Sequence, residues 1–285
     1  MTFGPKRVVW IAGATGRLGR SIEYHLDHDT YSIHTTDREL NVTNLDMVTT
    51  FAESYRPEFI INCAGIADKD VCAANPDEAY RVNALGARNL AVASHYLGAT
   101  IIQISTDDVF RSTKPNSAPL SEFERTNPSF TYGKSKEAGE VLVRELNPRH
   151  VILRSSWIYT ARKDDFLRMH IADAKAGREI EVPADQFGSP TSSDTFCKVL
   201  MSIMETGEYG TFHLSCEGLC SRYEFIKRAL ELAGASTVNM VGTYDPDKAF
   251  HVELDNMMIR LTGLAKMPSW KDDLEEYMRN HRLLG

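Results

Sequence analysis

Apolar and polar positions alternate between two periods in the first half of the chain. Residues 6–12 form a short apolar run that reads as a buried strand, and 16–27 carry helical spacing. The alternation continues with a strand at 31–37, a helix at 45–55 closed by Pro57, a strand at 59–63 and a long helix at 76–97 that Gly98 terminates. A strand at 100–105, a helix at 132–146 and a strand at 151–155 complete it. Strands separated by helices imply right-handed crossovers and a parallel sheet covered on both faces. After Trp157 the pattern becomes mostly helical, at 166–176, 195–205, 221–233, 257–262 and 270–282, with one short strand at 211–214. Ser221 and Glu224 match a capping box. The expectation is an α/β protein: a doubly wound parallel sheet over residues 1–160 and a smaller, mostly helical lobe over 161–285 that binds substrate. The 211–214 strand is expected to return to the main sheet.

Composition narrows the function. The 285 residues are 42% hydrophobic and 25% charged, as in ordinary globular proteins. With Lys+Arg 32 against Asp+Glu 39, the net charge is -7, which disfavours a general nucleic-acid binder but leaves a local anion pocket open. No run is long and apolar enough to span a bilayer, and the first one ends at Gly13, short of a signal-peptide core. The cysteines Cys63, Cys72, Cys197, Cys216 and Cys220 are scattered, which suits free thiols in a reducing cytoplasm better than zinc or disulfides. His25 and His28 share a helix face, but no acidic or cysteine cluster accompanies them. A cytoplasmic protein without a metal, nucleic-acid or membrane partner is therefore expected.

Gly13-Ala14-Thr15-Gly16-Arg17-Leu18-Gly19 follows the first strand and opens the first helix. Glycines there permit a tight turn and close approach to a pyrophosphate, which the helix N-terminus attracts. In this context the pattern reads as the NAD(P) turn of a Rossmann-type fold. Asp37 ends the second strand, where a carboxylate can bind both adenosine ribose hydroxyls and repel a 2′-phosphate. Arg38 and Arg17 pull the other way, since a guanidinium can pair with that phosphate. The balance leans slightly to NAD, with mixed use of NADH and NADPH expected.

Tyr132 and Lys136 form a YxxxK pattern, one helical turn apart on one face. A nearby ammonium favours phenolate, so Lys136 is expected to lower the Tyr132 pKa and also to hold the nicotinamide ribose. The fourth strand runs into Ser105-Thr106-Asp107-Asp108, and Thr106 is the candidate to orient a substrate carbonyl beside Tyr132.

These residues resemble the extended short-chain dehydrogenase/reductases, and among them the dTDP-4-dehydrorhamnose reductase family. Further segments carry the resemblance over nearly the whole chain: Ile61-Asn62-Cys63-Ala64-Gly65, Val82-Asn83-Ala84, Ile104-Ser105-Thr106-Asp107, Leu153-Arg154-Ser155-Ser156-Trp157, Asp185-Gln186 with Gly188, Pro190 and Thr191, Tyr223-Glu224-Phe225, Leu254-Asp255-Asn256 and Pro268-Ser269-Trp270. The resemblance implies reduction of a dTDP-linked 4-keto-6-deoxyhexose by NADPH or NADH. It implies Thr106, Tyr132 and Lys136 as catalytic residues. It places the cofactor on Gly13, Thr15, Gly16, Arg17, Leu18, Gly19, Asp37, Arg38, Cys63, Ala64, Gly65, Asn83 and Ser105 as well as Tyr132 and Lys136, with Asn83 supporting the active-site helix or a proton relay. Asp107, Trp157, Gln186 and Lys248 would meet the sugar nucleotide. The chain departs from the family where Asp108 replaces an aromatic residue, Ile66 a Tyr or similar polar residue, and Lys248-Ala249 an Arg-Pro pair. Some members dimerise, so a homodimer is open; the acidic residues that bridge such dimers through a metal are not identifiable here. Two alternatives follow from the same resemblance: a non-catalytic NAD(P)-binding regulator similar to the methionine adenosyltransferase β subunit, and a sugar-nucleotide epimerase or dehydratase.

Overall fold

The computed structural model describes residues 5–112, 118–160, 162 and 164–285. The chain forms two compact units that interleave along the sequence. The first comprises residues 1–110, 125–154 and 201–212, and the second 111–124, 155–200 and 213–285. Residues 201–212 carry a late strand to the sheet of the first unit, and residues 111–124 belong to the second.

In the first unit, strands β1 (Arg7–Ala12), β2 (Tyr31–Thr36), β3 (Phe59–Asn62), β4 (Thr100–Thr106), β5 (His150–Ser155) and β10 (Gly210–His213) form one sheet in the order β10-β5-β4-β3-β1-β2. β1 pairs in parallel with both β2 and β3, as in Val9↔Ile33 and Val9↔Phe59, and β3 pairs in parallel with β4. The strand order reverses at β1, which makes the carboxyl ends of β1 and β3 the switch point where such sheets receive ligands. All of β3 and the last four residues of β1 are buried, which their continuous apolar runs anticipate.

Helices α1 (Arg17–His25), α2 (Leu45–Tyr55), α3 (Lys69–Ala74), α4 (Pro76–Tyr80), α5 (Ala87–Leu97) and α6 (Thr131–Leu146) accompany these strands. Trp10, Val48, Ile60, Leu90, Ile101, Val143 and Ile152 share one core. The long helix expected at 76–97 is α4 and α5 joined by a π-helical stretch, Arg81–Gly86. Gly98 ends it at φ 68°. A π-helical insertion re-aims side chains, and here it carries Asn83.

The second unit holds α7 (Phe166–Lys175), α9 (Arg222–Leu232), α10 (Met257–Thr262), α11 (Trp270–Asn280) and the start of α8 (Ser193–Thr206). Short pairings accompany them: β6 (Ile158–Tyr159) with β9 (Thr191–Ser192), β7 (Ile180–Pro183) with β12 (Met240–Thr243), and β8 (Gln186–Gly188) with β11 (Cys220–Ser221) and β13 (Phe250–His251). Strands of two to four residues are too short to show a period, which is why the sequence pattern misses them. The capping box at α9 is complete: the Glu224 N–H donates to Ser221 Oγ at 3.0 Å and the Ser221 N–H to Glu224 Oε2 at 2.7 Å.

Asp273 ties this unit together from within. Its carboxylate is 3% exposed and accepts from the Tyr159 hydroxyl, the Ser192 N–H and hydroxyl, and the Thr195 hydroxyl. Among the described residues no helix is long and apolar enough to cross a membrane.

Candidate active site

The glycine turn leaves β1 with Gly13 at φ 80°, where its N–H and that of Ala14 donate to the Thr36 carbonyl at 2.8 and 3.0 Å. A Cβ on Gly13 would stand 2.5 Å from the Ala64 backbone nitrogen, so only glycine lets the β1 and β3 ends come this close. Gly16 starts α1 without a side-chain cap, leaving the first N–H groups to a ligand. Thr15, Gly16 and Arg17 are exposed, Leu18 is half-buried and Gly19 buried. Asp37 accepts from the Thr15 hydroxyl, and its own N–H donates to Glu39 Oε1 at 2.6 Å. Arg38 is exposed beside it. A close-packed glycine turn, an open helix N-terminus and a carboxylate at the end of β2 fit a dinucleotide.

Cys63 and Ala64 form the facing edge. The Cys63 N–H donates to Ala12 O at 2.8 Å and that of Ala64 to Asn62 Oδ1 at 3.1 Å. Burial pushes the Cys63 thiol up to about 12, which disfavours its thiolate. Gly65 leads to Ile66, whose N–H and carbonyl are both gripped by the Asn83 amide, at 2.8 and 3.0 Å. The same Asn83 nitrogen donates to Ser135 Oγ on α6 at 2.9 Å. Asn83 therefore fixes the loop after β3 against the helix that carries Tyr132 and Lys136.

Thr106 ends β4. Its hydroxyl donates to Asp107 Oδ1 at 3.1 Å and accepts from the Asp108 N–H at 3.2 Å, and it lies near enough to the half-buried Tyr132 to favour its phenolate. Gly133 brings α6 against this turn, since a Cβ there would stand 2.1 Å from the Asp108 carbonyl oxygen. Lys136 is buried, and its ammonium donates to Ile104 O at 2.6 Å. Burial brings its pKa down to about 8, against the pull of Glu140.

The expected depression of the Tyr132 pKa by Lys136 is not what this arrangement gives. The Tyr132 pKa is raised, first by burial and then by the Asp108 carboxylate, while the nearby Thr106 opposes the rise. Lys136 spends its charge at the Ile104 carbonyl instead.

Three residues that sequence reasoning left out of the site hold it in place. Glu140, one turn beyond Lys136, accepts from the Ser105 hydroxyl and takes Arg154 in a fork, at 2.9 Å from Nε and 2.7 Å from Nη2. Glu140 and Arg154 are 1% and 3% exposed. This pair fastens α6 to β4 and β5, and Ser105 serves that network. Lys69, on α3, donates to Asp108 Oδ1 at 2.6 Å. A buried glutamate in helical register with Tyr132 and Lys136 was the available signal for Glu140; none existed for Lys69.

In the second unit, Trp157 and Gln186 are brought together through Arg222. The guanidinium lies 4.2 Å over the Trp157 ring, and its Nε donates to Gln186 Oε1 at 2.9 Å. Trp157 adopts φ 39°, costly for a bulky side chain, and its ring packs where a Cβ on Gly188 would stand 2.8 Å away. Lys248 is exposed in the turn after β12, its N–H donating to Asp245 O at 2.9 Å. Asp107 is 3% exposed and bonded to Thr106.

Glycine turn, strand-end threonine and Tyr132–Lys136 helix on this sheet define an extended short-chain dehydrogenase/reductase. Within that class the chain belongs to the family described as RmlD substrate binding domain, whose model matches residues 7–283. The dTDP-4-dehydrorhamnose reductase of Aggregatibacter actinomycetemcomitans is 36% identical over 236 residues, 80% of each chain. The spore coat polysaccharide biosynthesis protein SpsK of Bacillus subtilis is 30% identical over 278 residues, 95% of this chain and 96% of that one. The crystal structure of a Bacillus anthracis dTDP-4-dehydrorhamnose reductase in complex with NADP matches at a TM-score of 0.91 and 36% identity, covering 97% of this chain and 100% of that chain.

Proposed function

We propose that this protein is an NAD(P)H-dependent reductase of a nucleotide-linked 4-keto-6-deoxysugar, of the dTDP-4-dehydrorhamnose reductase type. The observation that carries the reading is Tyr132, set near Thr106 at the carboxyl end of β4 and one helical turn from the buried Lys136.

Reduced nicotinamide, when bound, supplies the hydride. Thr106, whose hydroxyl proton rests on Asp107 Oδ1, turns that proton to the keto oxygen when substrate binds. The Tyr132 phenol gives its proton to that oxygen as it becomes an alkoxide, so ketone, hydride and proton become the alcohol. Burial and Asp108 keep the phenol protonated at neutral pH, the state a proton donor needs. Lys136, anchored on the Ile104 carbonyl, holds the ribose. Gly13 to Gly19, with Asp37 and Arg38, receive the dinucleotide at the open end of α1, and Cys63, Ala64 and Gly65 form the opposite edge. Asn83 and Ser105 act behind the site through Ile66, Ser135 and Glu140. Trp157, Gln186 and Lys248, with Arg222, serve the sugar nucleotide, and Asp107 steadies Thr106.

Cytoplasmic residence belongs to the same proposal, supported by five free cysteines, four of them buried. So does a homodimer, which the mass in solution reads out. The reaction is tested by mixing the protein with NADH or NADPH and dTDP-4-keto-6-deoxy-L-mannose. Loss of reduced-nicotinamide absorbance supports the reading; none, with cofactor bound, contradicts it.

A further inference from the structure

Asp108 lies in the turn after Thr106, and its carboxylate is half used by the protein. Asp108 is 7% exposed. Its Oδ1 accepts from Lys69 at 2.6 Å, while no described residue donates to Oδ2. The backbone is pinned on both sides: the N–H donates to Thr106 Oγ1 at 3.2 Å, and the carbonyl abuts Gly133. The carboxylate is thus fixed beside Thr106 and Tyr132, and its charge is felt at the Tyr132 phenol.

A carboxylate here is electrostatically costly. Reduction builds negative charge on the keto oxygen, and a nearby anion opposes that. The Lys69 ammonium offsets part of the repulsion, and an apolar or aromatic residue would avoid it. Oδ2 is left to solvent rather than to the protein, so a substrate hydroxyl brought beside Tyr132 can take the place of water there. On the keto-deoxysugar reading, the reacting C4 is flanked by C3, which bears a hydroxyl, and C5, which bears the methyl. Only C3 offers a donor next to the reacting carbon.

We infer that Asp108, held by Lys69, accepts a hydrogen bond from the C3 hydroxyl of the sugar and makes this protein selective for substrates that keep that hydroxyl. The inference rests on the reductase reading above. Asp108 contacts substrate directly, and Lys69 is a positioning residue. The Asp107 carboxylate and the Cys72 thiol also face Tyr132, but Asp107 is already bonded to Thr106 and Cys72 donates to the Ile66 carbonyl at 3.4 Å.

The test compares kcat/KM for the dTDP-4-keto-6-deoxyhexose and its 3-deoxy analogue. The wild-type protein is expected to prefer the 3-hydroxy sugar by about 10- to 100-fold, the range for a hydrogen bond to a charged group. Asp108→Ala is expected to shrink that ratio to within about threefold, and Asp108→Asn, which keeps a neutral acceptor, to an intermediate value. Lys69→Met should lower the ratio by a smaller factor, mainly through KM. An unchanged ratio in Asp108→Ala, or in Asp108→Asn should the alanine variant fail to fold, overturns the inference while the reductase reading stands. Folded wild-type protein that oxidises NAD(P)H with neither sugar overturns both.

Discussion

Two buried carboxylates, Asp273 in the second unit and Asp108 in the first, share a chemistry and divide in role. Asp273 has each oxygen doubly occupied, Oδ2 by Tyr159 and the Ser192 N–H, Oδ1 by the Ser192 and Thr195 hydroxyls. It joins α11 to β6, β9 and α8, and nothing is left for a ligand. Asp108 has one oxygen on Lys69 and the other idle beside Tyr132. A saturated buried carboxylate has no oxygen left to offer; a half-saturated one keeps an acceptor, which the inference above gives to a substrate hydroxyl. Glu140 belongs with Asp273: its bonds to Ser105 and Arg154 hold α6 against β4 and β5.

Substitutions on either side of this contrast should therefore fail in different ways. The largest effect is expected for Tyr132→Phe, with kcat reduced about 10²- to 10⁴-fold, the contribution of a general acid. Its melting temperature and NAD(P)H affinity should stay near wild type, as calorimetry can show. Asp273→Ala strands several buried donors and should lower stability by about 3–5 kcal/mol in urea unfolding, while kcat in the surviving folded protein changes little. A catalytic defect without loss of stability at Asp273 would erase the contrast.

Asp108→Asn sharpens it through pH. Asp108 raises the Tyr132 pKa, so its removal lets the phenol ionise at lower pH. Only the protonated phenol donates in the reductive direction, so the alkaline limb of kcat/KM should move to lower pH. A purely structural Asp108 would leave that limb in place. The smallest effect is expected for Ser221→Ala, which breaks the capping box of α9 and should cost about 1 kcal/mol of stability with turnover unchanged.

The sequence showed what depends on local order. The glycine turn, Asp37 at the end of β2, Thr106 at the end of β4 and the Tyr132–Lys136 spacing are all readable from neighbours a few residues apart. So were most long helices and the strands of the main sheet, because their apolar periods run over several residues. What was hidden depends on encounters across the chain. Lys69 meets Asp108, Arg154 meets Glu140 and Arg222 meets Trp157 only once the fold is made. The acidity of Tyr132 went the other way for the same reason: its sign is set by burial and by Asp108, while Lys136, its neighbour on the helix, faces a carbonyl. The π-helical stretch at Asn83 left no mark on the apolar period of the 76–97 run.

The most direct test of the central claim follows a single atom. Nicotinamide cofactor deuterated at the transferable position is mixed with the protein and dTDP-4-keto-6-deoxy-L-mannose, and the product sugar is analysed by NMR and mass spectrometry. A reductase with Tyr132 as proton donor should yield sugar carrying one deuterium at C4, with an equal amount of oxidised cofactor. Sugar recovered without deuterium and with the cofactor still reduced would contradict the account.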